Sequence, residues 1–423
     1  MTSPRGAGAA VRAEVGYGSS RAGRNDPSAL VSRSRRSVPS PSASHDAIAA
    51  RAEASGIRRV HVFAFRDRDD PEAGGSEEHA SQTCAHLARA GIEVALHTGR
   101  VPGQPALVQR DAYRVVRRGG RLGVFATSVL DEHLRRLGPA DGIIEIFHGV
   151  PFFVPLWSRR PQVGVVHHVH LGTWDLLLPG PLGRVGEAVE RHVVPRVYRN
   201  RTLLTAAPSA RQEIAEHYRI DPARVAVAPH GIADRFQPGG TRDPAPLAVA
   251  VARLMPQKGI SALLRSMVDV RRQVPEATLV VVGDGPHRAA FEAEAHQLDL
   301  DGVVTFAGRV DDAGLVEWYQ RAWVVVSASL REGFGLTLTE AAACGTPVVA
   351  SRIPGHVDAV DDGRSGLLAD PGDLSAAIVR VLVDDELRAT LAQGALEHAA
   401  RFRWDHATVT LFDALCDDAE RRR

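Results

Sequence analysis

The stretch SLREGFGLTLTEAAACGTPVVAS, residues 329–351, carries one whole unit of a repeating pattern. It leaves WVVVSAS (323–329), an apolar run with the composition of a strand. Glu332 then precedes a glycine-rich turn, and a helix bearing Glu340 runs on until Gly345 stops it as a C-cap. TPVVAS (346–351) is the next strand. Strands apolar on both faces, joined by helical crossovers, predict a parallel, doubly wound sheet.

The alternation extends in both directions. LAVAVARL, TLVVVGDG, VVTFAGR and GLLAD read as further strands, with helices GISALLRSMVDVRRQV, HRAAFEAEAHQL and DAGLVEWYQRA between them. From Arg58, RRVHVFAF, EVALHT, GIIEIFH and QVGVVHHVH repeat the theme, and HASQTCAHLARAG is a helix that stops at Gly91. The Pro- and Gly-rich QPGGTRDPAP (237–246) is the expected linker. The expected architecture is therefore α/β: two Rossmann-like doubly wound domains, 56–240 and 241–404, facing across a cleft, with 405–423 returning to the first as a helix. Residues 1–55, rich in Ser, Arg, Pro and Ala, are too poor in large apolar side chains to offset ordering entropy and are expected to be disordered.

Composition narrows the function. A formal charge of +1 in 423 residues gives no reason to expect nucleic acid as partner. Cys84, Cys344 and Cys416 stand far apart without metal-ligand spacing, which fits a reduced, cytoplasmic protein. No apolar run reaches the roughly 18 residues of a membrane span. Lys258 is the only lysine in the chain, and every other permanent cation is arginine. A compact, rotatable ammonium differs from a guanidinium fork wherever a phosphate oxygen is approached through a narrow gap.

Ligands of doubly wound sheets sit at the carboxyl ends of the strands. There the sequence places Arg253 and Lys258 after one strand, Gly283 and Gly285 after the next, and the Glu332–Glu340 segment after a third. Gly333 and Gly335 allow close backbone approach, and the helix beyond offers free N–H groups to an anion. Two cations and a helix start describe a diphosphate site. GDGPHR lacks the third glycine of a dinucleotide fingerprint, with Arg288 in its place, which disfavours an NAD-dependent enzyme.

Together, PEAGGSEEHA, VVHHVH, APHGIADRF, ARLMPQKG, VVVGDGP, FAGRV and SLREGFGLTLTEAAACGTPVVAS resemble glycosyltransferase family 4, enzymes of the GT-B fold. The resemblance implies a retaining, metal-independent hexosyltransferase that needs no cofactor beyond its nucleotide-diphosphate sugar donor. It implies that Arg253 and Lys258 neutralise the diphosphate and that Glu340 binds the ribose hydroxyls. Glu332 and the backbone of Gly333, Phe334 and Gly335 would hold the transferred sugar and its phosphate, with Leu336 beside them. Gly74, Gly75, Gly283 and Gly285 join the donor-binding set. His167 would stand beside the sugar, and Arg309 where the base packs. The acceptor, a sugar, a lipid-linked or a small molecule, belongs to the amino-terminal domain. His230, Asp234 and His168 depart from the family pattern.

Other readings stay open at this point. They are a nucleotide-sugar epimerase, a donor-binding protein without turnover, and a pyridoxal enzyme with Lys258 as its Schiff base. No metal site is expected. Asp67 and Asp69 read as a solvated turn, and strand alternation puts His168 and His170 on one face with His167 on the other. The basic stretch YRVVRRGGRLG (113–123) is either a solvated face or a contact for an anionic acceptor at the inner membrane surface.

Overall fold

The computed structural model describes residues 41–174, 178 and 180–423. The amino-terminal sheet has eight strands: β1 (Arg59–Phe63), β2 (Glu93–Thr98), β3 (Leu107–Arg110), β4 (Tyr113–Arg117), β5 (Gly142–Ile146), β6 (Gln162–Val165), β7 (Leu203–Thr205) and β8 (Val225–Val227). Their order is β3-β4-β2-β1-β5-β6-β7-β8, with only the edge strand β3 antiparallel. The second sheet is wholly parallel. It comprises β9 (Leu247–Val251), β10 (Thr278–Val282), β11 (Val304–Gly308), β12 (Val324–Ser327), β13 (Val348–Ser351) and β14 (Gly366–Ala369), in the order β11-β10-β9-β12-β13-β14. In each sheet the order reverses beside a central strand, β1 or β9. That reversal opens the crevice where such folds bind ligands.

Each sheet has its own core. Val60, Val62, Leu96, Ile144 and Val163 pack with the helix Trp404–Arg421, which returns to the first sheet through Leu411, Phe412 and Leu415. Ala248, Leu279, Val281 and Val326 pack against Leu263, Leu264 and Met267 of the helix Ile260–Gln273. Among the described residues no helix is long and apolar enough to cross a membrane.

The expectation of disorder through residue 55 needs correction. Pro41–Ser55 is a helix lying on Trp404–Arg421. Ile48 and Ala52 are buried there, and Arg51 faces Asp413, Asp417 and Glu420. A small-residue helix can dock closely on a neighbour, so two apolar contacts and one arginine order it despite its polar composition. The rest of that expectation, for residues 1–40, lies outside the described residues.

The linker 237–246 is pinned to the second sheet rather than free. The Arg242 guanidinium donates to Thr346 Oγ1 at 2.6 Å and to the Gly345 carbonyl at 2.6 Å, and Asp243 pairs with Arg321 at 2.9 Å. The two chain crossings meet just before it. Ile232 N donates to the Phe402 carbonyl at 3.1 Å, and a Cβ on Gly231 would lie 2.0 Å from Trp404 N. Because backbone cannot yield as a side chain can, Gly231→Ala is expected to destabilise the protein by about 1–3 kcal/mol in chemical denaturation. An unchanged midpoint would mean that the crossings are not held in register.

Candidate active site

The segment that decides the fold also builds the site. Past β12, Glu332 stands in the loop before the helix Leu336–Ala343 and accepts from Lys258 Nζ at 2.5 Å and from Ser329 Oγ at 2.9 Å. Burial pushes the Glu332 carboxyl up, but the adjoining Lys258 charge and hydrogen bond, helped by His356 and Ser329, outweigh it. The group is held below its ordinary range. Lys258 ends a single 3-10 turn after β9, and Gly259 follows at φ +65. A Cβ on Gly259 would sit 1.9 Å from the Ala328 carbonyl oxygen. Only glycine therefore lets the lysine loop lie against the glutamate loop.

Arg253 reaches across to the amino-terminal half, its guanidinium 3.3 Å from Glu72. Glu72 is shared with Arg66 and Arg121. Burial raises its carboxyl, but the three arginines outweigh that and hold it ionised. Two residues further, Gly74 caps the helix Gly75–Arg89, and its N–H donates to Glu77 at 2.8 Å. A Cβ on Gly75 would lie 2.7 Å from Leu336 Cδ1, and one on Gly333 would lie 2.6 Å from the His167 carbonyl oxygen. The glycine loops of the two halves thus meet, and Gly333, which faces backbone, is needed for that approach.

Glu340, on the helix Leu336–Ala343, accepts from the Tyr319 hydroxyl at 2.9 Å. Burial pushes its carboxyl up to about 7, with Glu78 and Asp312 also raising it against Tyr319 and Arg235. The resemblance implies that Glu340 binds a ribose diol, which the ionised form does best. Nucleotide affinity is therefore expected to be full above about pH 8 and to fall up to tenfold per unit as pH drops through 7 towards 5. In calorimetry Glu340→Gln should remove this slope, and Glu340→Ala should weaken binding by about 1.5–3 kcal/mol. A slope that survives Glu340→Gln would remove Glu340 from the nucleotide site.

The other expected residues divide. Gly283 and Gly285 pack on the end of β9: a Cβ on either would lie within 2.5 Å of the Ala252 or Leu254 carbonyl oxygen. They set the loop that carries Arg253. Arg309 is exposed at the end of β11. The Phe334 side chain turns inward, edge-on to His230 at 5.5 Å and to Phe402 at 5.4 Å. It joins the two halves, leaving only its backbone to the cleft side. His168 and His170 share a side, with ring centroids 4.1 Å apart, as alternation predicts. His168 is the histidine whose imidazole feels Lys258 and Arg331, with burial the main cause that drives it down to about 3. His167 instead packs against His79 and His230.

Some contributors were not singled out from sequence. Arg331 donates to the Leu171 carbonyl at 3.1 Å and pairs with Glu213, and Asp358 accepts from Ser209 N at 3.1 Å. These contacts tie the two halves. Glu72 lay inside a quoted motif, but two of its three arginines, Arg121 and Arg253, come from distant segments. The expected solvated turn holds for Asp69, which is exposed in a turn, and not for Asp67. Asp67 is fully buried, and each carboxylate is taken by Arg110 and Arg117 at 2.5–2.6 Å. The basic stretch 113–123 is accordingly half inward-facing, because Arg117 is buried in that network and Arg118 pairs with Asp131 at 2.8 Å.

Known proteins match this chain along most of its length. The family model described as Glycosyltransferase Family 4 matches residues 73–236, and that described as Glycosyl transferases group 1 matches 232–398. A protein of Catenulispora acidiphila named D-inositol 3-phosphate glycosyltransferase 2 is 30% identical over 401 residues, 84% of this chain and 92% of the relative. Sucrose-phosphate synthase of Thermosynechococcus elongatus superposes with a TM-score of 0.71 at 22% identity, over 84% of this chain and 97% of that one. Anabaena HepE, solved in complex with UDP and glucose, gives a TM-score of 0.65 at 18% identity, over 84% and 97%.

Proposed function

The chain belongs to the family 4-like glycosyltransferases of the GT-B fold, and from this we propose a retaining hexose transfer from a nucleotide-diphosphate sugar. The single observation that carries the donor reading is the Lys258–Glu332 pair at the glycine loop, with Arg253 on the neighbouring strand end. A diphosphate arriving there meets two cations and the start of the helix Leu336–Ala343. Those groups supply the stabilisation that a divalent ion gives elsewhere. Glu332, released from Lys258 by the phosphate, is left to accept from sugar hydroxyls, and Glu340 from the ribose.

In the proposed reaction the bond between the anomeric carbon and phosphate oxygen breaks, its electron pair passing to the diphosphate. The acceptor hydroxyl attacks the same carbon from the face the diphosphate leaves. Its proton passes to a diphosphate oxygen. Lys258 and Arg253 act where negative charge grows, which is what lowers a barrier rather than merely tightening binding.

For the acceptor we propose an anionic polyol of the phosphorylated cyclitol class. The names of the relatives suggest it, and Arg100 and Arg118 line a concavity with Gly119, Gly120 and Thr127 in the amino-terminal half. UDP-sugars are the first donors to try, since HepE is a fold neighbour that holds UDP. A thermal-shift screen of nucleotide diphosphates tests the donor reading, with at least one expected to raise the melting temperature. No shift by any nucleotide at millimolar concentration would overturn it.

A further inference from the structure

Three imidazoles from three separate elements converge beside the glycine loop. His79 lies on the helix Gly75–Arg89, His167 two residues beyond β6 and His230 three residues beyond β8. Their ring centroids form a triangle with sides of 5.2, 4.8 and 5.2 Å. One nitrogen of each lies within 4.8 Å of the other two. His79 and His230 are almost wholly buried.

These nitrogens are without partners. His79 Nδ1, His167 Nε2 and both ring nitrogens of His230 are buried with no hydrogen bond. Each such group left unmade costs about 1–3 kcal/mol, so a cluster of them in one place calls for an occupant. Trp404 stacks over His79 and His230 and Phe334 closes against His230, which walls the cluster off from bulk water. Nothing in the proposed donor chemistry uses it.

We propose that His79, His167 and His230 bind a zinc ion, with water as the fourth ligand. Three neutral imidazoles are a known zinc set, and bonds of about 2.0–2.1 Å in a tetrahedron bring the nitrogens to about 3.3 Å from one another. From the present spacing, up to 4.8 Å, ligation brings the nitrogens closer by about 1.5 Å or less. The buried Glu77 carboxylate is near enough for its charge to act on His167, and it supplies a countercharge. The ion would fasten the first glycine loop, the loop after β6 and the first crossing between halves at one point, and would buttress Phe334. It would not touch the diphosphate. His167 then holds the metal, and it is His168, not His167, that feels the Lys258 charge. This assignment is independent of which sugar is transferred.

Full-length protein without a histidine tag, produced in zinc-supplemented medium and desalted, decides the matter by elemental analysis. About one zinc per chain is expected. The cobalt(II)-exchanged protein should show the intense visible absorption of a four-coordinate ion. His230→Ala should lose the metal, while His168→Ala should keep it. If the His230 variant does not fold, the wild-type stoichiometry and cobalt spectrum still decide. Folded wild type with substoichiometric zinc, and no rise in melting temperature on adding zinc chloride, would overturn the proposal and leave ordered water as the occupant.

Discussion

Lys258→Ala is expected to lower turnover by about a hundred- to a thousandfold while weakening donor binding less than tenfold, the pattern of a group that meets charge developing in the transition state. Its ammonium touches Glu332 and stands where the diphosphate would lie. Losing it also leaves Glu332 without its nearest cation, and an uncompensated buried charge destabilises a fold. Melting temperature must therefore be measured beside turnover. Lys258→Arg keeps the charge and separates the two effects. It should restore stability but only part of the rate, because a planar fork cannot take the position of a point charge against both Glu332 and a phosphate oxygen. Full activity in Lys258→Arg together with wild-type turnover in Lys258→Ala would reduce the lysine to an accident of an arginine-biased composition.

A chain beginning at residue 56 should lose at least about 3 kcal/mol of stability, whereas one beginning at residue 41 keeps the docked helix. Burying Ile48 alone is worth about 2–3 kcal/mol, and removing its helix uncovers surface of the helix Trp404–Arg421 on which it lies. Three carboxylates, Asp413, Asp417 and Glu420, would also lose Arg51 and be left to repel one another. Denaturant midpoints of the two truncations provide the comparison. Equal midpoints would mean that the helix Pro41–Ser55 rests on the body without supporting it.

How much of this could be read from sequence depends on where each partner lies in the chain. Strands buried on both faces announce themselves locally, and so β2 matches EVALHT end to end while β9, β10, β12 and β13 fall inside the runs read as strands. β7 and β8 have only three residues each and carry no such signal. β4 was hidden because its arginines suggested a surface, when Arg117 in fact points inward to Asp67 some fifty residues away. The site followed the same rule. The order of Lys258, Glu332 and Glu340 along the chain was legible because loops after neighbouring parallel strands must come together. The meeting of Arg253 with Glu72 depends on how two separate sheets are set together, and that of His79, His167 and His230 on how three distant segments of the first sheet's unit pack. No local pattern encodes that.

The most direct test of the proposed reaction is to incubate the enzyme with a panel of nucleotide sugars and a phosphorylated cyclitol, with and without added magnesium or manganese. The anomeric configuration of the product is then read by proton NMR. Transfer from one donor, with the donor's configuration kept and a rate indifferent to the added ion, is the expected result. An inverted product, or turnover only when the ion is added, would contradict a reaction in which Lys258 and Arg253 carry the leaving diphosphate.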